Sequence, residues 1–267
     1  MMKKLALGIV SLGVMAIGAY AASNASDNAG NYSNPAGWTG NGGSGWGGAW
    51  TFTTPANSGD FLGDSTTNAS NPSGGINSGN GLAWGLFANT GATSDATRPF
   101  SGSLSVGQTF SLQIDQGFQD AGSTVGFGLQ NASGQNLFEA YYIGGDATNS
   151  WKTNSSAGQQ NLSPNVGFSG DGFNVTFTLQ AGNTYAGTFS DMHGNSANFS
   201  GTLSTQAGGE AISQVRLFNS NAGNGGTNDQ YFNNMSITSV PEPGTILSFL
   251  SGSSLLGAFL FIRRRRA

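Results

Sequence analysis

The sequence predicts an all-β fold, an antiparallel sandwich of two sheets. Three observations predict it. From Ala49 onward apolar and polar residues alternate with a period of two; turn residues interrupt the alternation at short intervals; and no stretch between the two chain ends carries a helical stripe with caps. A period of two puts successive side chains on opposite faces of an extended chain, so one face is buried and the other stays wet.

In chain order, Leu82, Trp84 and Leu86 give the first clear alternation, followed by Phe110, Leu112 and Ile114, then Val125, Phe127 and Leu129. Leu137 to Ile143 is a more continuous apolar strand with one polar interruption at Glu139. Phe173, Val175, Phe177 and Leu179 alternate again, as do Phe199 to Leu203, Val215 to Phe218 and Tyr231 to Ile237. Turn signals lie between them, among them Asn131-Ala132-Ser133-Gly134, Gly170-Asp171-Gly172 and Gly208-Gly209. Roughly nine to twelve strands about 8–15 residues apart predict two sheets whose outer faces carry Ser, Thr, Asn and Gln. A parallel β-helix is the rival architecture, and it requires a repeat of about twenty residues that this chain lacks.

Composition supports a folded core. Glycine is 44 of 267 residues and proline 7, together about 19%, below the roughly 25–30% that marks low complexity. The 18 Phe, 6 Tyr and 5 Trp need burial. Residues 22–48 are poorer in such groups and read as a Gly- and Asn-rich flexible leader, with Trp38 and Trp46 able to pin it to the domain edge; the β-sandwich is expected over 49–239.

Both ends read as targeting segments. Lys3 and Lys4, the apolar stretch from Leu5 to Gly18 and the small residues around Ala19-Tyr20-Ala21 predict a secretory signal peptide over 1–21, removed by signal peptidase after passage through the general secretion machinery; an uncleaved anchor is the alternative. Residues 240–267 carry Pro241-Glu242-Pro243, an uncharged run over 244–262 and the basic cluster Arg263, Arg264, Arg265 and Arg266. Nineteen helical residues at about 1.5 Å each come close to a hydrocarbon core of roughly 30 Å, and the arginines would stay on the cytoplasmic side.

That order of features resembles the PEP-CTERM sorting signal of bacterial surface proteins. The resemblance implies a membrane-embedded exosortase that recognises Pro241, Glu242 and Pro243 and cuts near them, so the transmembrane helix would be a temporary inner-membrane tether before release to the cell surface or the extracellular space. It also implies a matrix or exopolysaccharide setting, such as a biofilm.

The part between the ends is acidic. Over 22–239 there are twelve acidic side chains and three basic ones, Arg98, Lys152 and Arg216, a net charge of about −9. Without a basic patch the domain should repel phosphate backbones, which excludes nucleic acid as a partner. The absence of cysteine excludes a disulfide framework and a lipobox thiol.

The segment RPFSGSLSVGQTFSLQI from Arg98 to Ile114, then VGFGLQN and finally YFNNMSIT, resembles a concanavalin A-like jelly roll. The resemblance implies that the last strand returns beside the first, with the chain's exit next to its start.

No catalytic residue is assigned and the protein is read as a non-enzyme. Glu139 and Glu210, the two glutamates of the domain, are about seventy residues apart, and the Glu-x-Asp-x-x-Glu arrangement of jelly-roll glycosidases is absent; a pair of carboxylates brought together from separate strands about 5–9 Å apart remains the route to hydrolysis. His193 has no cysteine or second histidine with which to form a zinc site or triad, and reads as a surface-turn residue. No metal site and no cofactor are assigned, although Asp60, Asp64, Asp115 to Asp120 and Asp171 lie in loops whose oxygens would suit Ca²⁺; solvated turn aspartates are the plainer reading. Trp84 alternates with leucines and reads as core. Trp151, in the polar stretch Asn149 to Thr153, is the candidate glycan contact, with Tyr141 and Tyr142 as further aromatic candidates.

Two functions stay open: an exported non-enzymatic module that associates with extracellular polysaccharide, and a secreted carbohydrate-active enzyme with a divergent site.

Overall fold

The computed structural model describes residues 22–33, 38–68, 75–162 and 166–239. The expected signal peptide over 1–21, the motif Pro241 to Pro243, the span over 244–262 and the tail Arg263 to Arg266 lie outside them. Among the described residues, no helix is long and apolar enough to cross a membrane.

Fifteen strands are present among these residues: β1 (Ala22–Asp27), β2 (Thr51–Thr53), β3 (Ser58–Gly63), β4 (Ala83–Ala88), β5 (Thr93–Pro99), β6 (Gln108–Asp115), β7 (Thr124–Gln130), β8 (Asn136–Ile143), β9 (Lys152–Ser155), β10 (Gly158–Asn161), β11 (Phe173–Gln180), β12 (Thr184–Asp191), β13 (Ser196–Thr202), β14 (Gln214–Ser220) and β15 (Gln230–Ser239). One sheet runs β13-β12-β11-β6-β15-β4-β3, with β1 also paired to β15; the other runs β10-β9-β8-β7-β14-β5-β2. The pairings are antiparallel throughout. The all-β two-sheet sandwich is therefore as the alternation predicts, with more strands than expected.

The inner faces follow from the period of two. Phe110, Leu112 and Ile114 of β6, Val175 and Phe177 of β11, Phe127 and Leu129 of β7 and Val215 and Leu217 of β14 are all buried in one cluster. Each alternates with a polar or glycine residue that faces outward, so register is fixed: a one-residue slip would bring the polar set inside. Phe138 links the sheets, with its ring 4.9 Å from Phe177 and 5.0 Å from Tyr185. Such pairs add about 0.5–1.5 kcal/mol each beyond area burial.

β15 sits in the middle of its sheet. Its first residues pair with β4, its later ones with β1, and β6 runs along the other side. A bulge between Asn233 and Ser236, where Asn234 takes φ 46°, separates the two stretches. Ala22 pairs with Ser239, so the first described strand and the last end side by side, as the jelly-roll resemblance implies.

The leader expected over 22–48 is a correction. Its first six residues are β1, Trp38 is fully buried and stacked 5.5 Å from Trp84, and Trp46 packs on Phe100. The cause is a charge that points inward. Arg98 leaves β5 toward the core, where its guanidinium donates to Asp27 of β1, to Asn41 Oδ1 at 2.9 Å and to the Gly42 carbonyl at 2.6 Å. Tyr32 donates to Asp27 Oδ2 at 2.6 Å and receives the Trp50 indole N–H at 2.9 Å. A buried cation needs hydrogen-bond partners, and this polar segment supplies them to both terminal guanidinium nitrogens. Residues 22–239 thus close their own core and form one compact unit.

Candidate functional site

The two outer faces differ in chemistry. On the β13-β12-β11 side, and along β6 up to Gln113, the exposed outward positions are Ser, Thr, Asn, Gln and Ala: Thr109 and Thr178 are hydrogen-bonded at 2.8 Å, as are Thr176 and Thr188. A shallow depression of about 400 Å³ there is lined by uncharged groups, including Thr176, Thr188 and Asn198. It offers hydroxyls and no charge, and the one ring in its lining, Phe199, is buried.

The opposite outer face carries charge and aromatic surface. Register places Glu139 of β8 opposite Gly128 of β7, and Gly128 opposite Arg216 of β14; one row along, Tyr141, Gly126 and Phe218 align in the same way. Two consecutive outward positions of β7 are therefore glycines, and no side chain rises between the flanking strands. The result is a trough of about 300 Å³ lined by Thr93, Thr124, Glu139, Tyr141, Arg216, Phe218 and Ser220. A Cβ at Gly128 would come within 2.9 Å of Asn136 Oδ1, and one at Gly126 within 2.1 Å of the Ala140 carbonyl oxygen.

One wall is Tyr141, partly exposed, with its hydroxyl donating to Gln159 Oε1 at 2.8 Å. Burial, and then the charge of Glu139, push its phenol upward. The other wall is Arg216, whose guanidinium lies 4.6 Å from the ring centroid of Phe218 and caps it. Arg216 is held by Asp95 of β5, whose Oδ1 accepts from Nε at 2.9 Å and Nη2 at 2.6 Å.

Glu139 shares the β8 wall with Tyr141 and faces Arg216 across Gly128. Asn136 and Asn154 both donate side-chain amides to it, the latter at 3.4 Å. Burial raises its carboxyl above the usual range, and the Asn154 amide, the Arg216 charge and the Asn136 amide oppose that. With Asp95 occupied by Arg216, Glu139 is the carboxylate of the trough that has no contact ion pair.

The remaining sequence candidates fall elsewhere. Trp151 is a correction: it is fully buried, its indole donates to Gln116 Oε1 at 3.0 Å, and its ring packs on Phe173, Phe189 and Tyr142, so no sugar reaches it. Its polar neighbours are satisfied locally, Lys152 by Asp146, Thr148 and Asn161. Tyr142 turns away from Tyr141, as neighbours on a strand must, and donates to Asn149 Oδ1 at 2.6 Å. Trp84 is core. Glu210 lies in the 203–213 loop, where Asn183 donates to it, and does not join Glu139. His193 is exposed and pairs with Asp171. Among the described residues, no group of three or more acidic or histidine side chains is placed to hold a metal ion.

Sequence reasoning passed over Arg216, Asp95, Gly126 and Gly128. The signal for the trough was present in Thr124-Val-Gly-Phe-Gly-Leu-Gln130, where glycine takes positions that alternation reserves for outward polar side chains.

No protein-family model matches the chain, and no curated protein matches it. Solved structures to which the chain is similar include a carbohydrate esterase from the Shiga toxin-encoding bacteriophage phi24B, with 13% identity, 71% of this chain and 89% of that one covered and a TM-score of 0.46. An endo-β-1,4-glucuronan lyase from the fungus Trichoderma reesei has 10% identity, 73% and 91% coverage and a TM-score of 0.43. A lectin from Bauhinia forficata in complex with GalNAc has 11% identity, 80% and 96% coverage and a TM-score of 0.42. At these identities the likeness concerns the fold alone.

Proposed function

We propose that this protein is an exported, non-enzymatic module that associates with polysaccharide through the trough beside β7. The observation that carries the reading is the alignment of Tyr141, Glu139 and Arg216 around the bare backbone of Gly126 and Gly128. A tyrosine face suits the apolar side of a pyranose ring, and a carboxylate and a guanidinium supply acceptors and donors for its hydroxyls. An open strip between strands suits an extended polymer better than a small molecule, which favours an enclosed pocket.

Binding is favoured over hydrolysis because glycoside cleavage uses two working carboxylates. In the trough Glu139 stands alone, with Asp95 engaged by Arg216. The PEP-CTERM-like segment supplies the setting: export, tethering through residues 244–262, and processing near Pro241-Glu242-Pro243 by an exosortase-type protease, ending at the cell surface or in the matrix.

The test is retention of residues 22–239 on a panel of insoluble polysaccharides, with reducing-end and unsaturated-product assays on the same samples. Retention without product supports the reading. Product release that is lost in Glu139→Gln would establish the carbohydrate-active enzyme instead.

A further inference from the structure

We propose that the trough selects an amine-bearing pyranose, of the 2-amino-2-deoxy type, over its neutral counterpart and rejects uronic acids. The inference rests on the polysaccharide reading above and deepens it. Residues 22–239 contain three basic side chains, and each is committed to an acid: Arg98 to Asp27, Lys152 to Asp146 and Arg216 to Asp95. Each of the three charges is thus already offset by an acid before any carboxylate or sulfate on a polymer arrives.

With Asp95 counted beside its lining residues, the trough carries a net negative charge. Arg216 offsets Asp95, and the charge of Glu139 remains. Two amides from Asn136 and Asn154 fix that carboxylate beside Tyr141, and each donates one hydrogen bond, which leaves acceptor sites on its oxygens for a ligand. A sugar stacked on Tyr141 with an ammonium group directed at Glu139 would form the contact ion pair that Glu139 otherwise lacks. A uronate in the same place would set two carboxylates together. The surrounding charge of about −9 adds to both effects. In a partly exposed site such a pair is worth about tenfold in affinity.

Calorimetry of residues 22–239 with three soluble probes tests this: the tetramer of glucosamine, the tetramer of N-acetylglucosamine and a tetra-uronate, all in slightly acid buffer. The first two share a backbone and differ in the amine charge. The expected result is binding of the glucosamine tetramer about tenfold tighter than its acetylated form, with no binding of the uronate. Glu139→Gln should erase the difference, and Glu210→Gln, an equal change of net charge at a distant loop, should preserve it. Equal affinity for both tetramers, or equal losses in the two variants, overturns the selectivity and leaves polysaccharide association standing. Failure of every saccharide, in this assay and on the polysaccharide panel, overturns both.

Discussion

Arg98 and Asp27 form an ion pair inside the sandwich although they are 71 residues apart in the chain, and each is out of reach of solvent. The pair ties β1 and the tryptophan-rich stretch behind it to β5. Its arginine also lies 4.9 Å from the Trp46 ring centroid and 5.3 Å from that of Trp50.

Removing one partner strands a buried charge, which costs about 3–5 kcal/mol. Arg98→Met and Asp27→Leu should each lower stability by that much in urea denaturation followed by tryptophan fluorescence. The double variant should lose clearly less than the two losses added together, because no charge is then left unpaired. Additive losses would show that the pair does not hold this segment.

Trp151 belongs to the core. Trp151→Ala should cost about 3–5 kcal/mol in stability through the cavity it leaves, whereas Trp151→Phe should leave polysaccharide retention unchanged.

The alternation of Phe110, Leu112, Ile114 and of Phe173 to Leu179 made the sandwich legible, since period two with large apolar groups has few other outcomes. β9, β10 and β12 were not, because their stabilisation comes from pairing with neighbours rather than from a continuous apolar face. The same limit hid the order around residues 22–48: polar composition looks flexible until the inward arginine that it satisfies is known. Trp151 illustrates the reverse error, a polar sequence neighbourhood around a buried ring. Half of the trough, Glu139 and Tyr141, was visible in the sequence. Its other half comes from β14 and β5, and only cross-strand register brings those strands beside β7 and β8.

Two aspartates should make stability depend on pH. Burial raises the carboxyls of Asp115 and Asp229 to about 7 from the ordinary 3.8. Between those values the folded chain holds protons that the unfolded chain has released, so stability falls as pH rises through that window and flattens above it. Asp64, Asp146 and Asp191 are held below the usual range and act only at more acid pH. Thermal unfolding at about pH 5 should therefore occur at a higher Tm than at about pH 7.5. Asp115→Asn, which keeps the acceptor for Asn68 Nδ2, should flatten the difference. A Tm that rises with pH across this range would contradict the assignment.

The sorting reading predicts the fate of an epitope placed after Ala267. Mature surface protein should lack the tag when the exosortase is present, and deletion of that protease should leave tagged protein in the inner membrane. Tag retention in both strains would refute processing near Pro241-Glu242-Pro243.

The trough itself is tested most directly by affinity electrophoresis of residues 22–239 through gels containing the polysaccharide that retains them best, with Tyr141→Ala run beside the unaltered protein. Loss of the stacking face should weaken binding about tenfold while the Tm stays within a few degrees. Undiminished retardation of Tyr141→Ala would place the binding surface elsewhere and contradict the account.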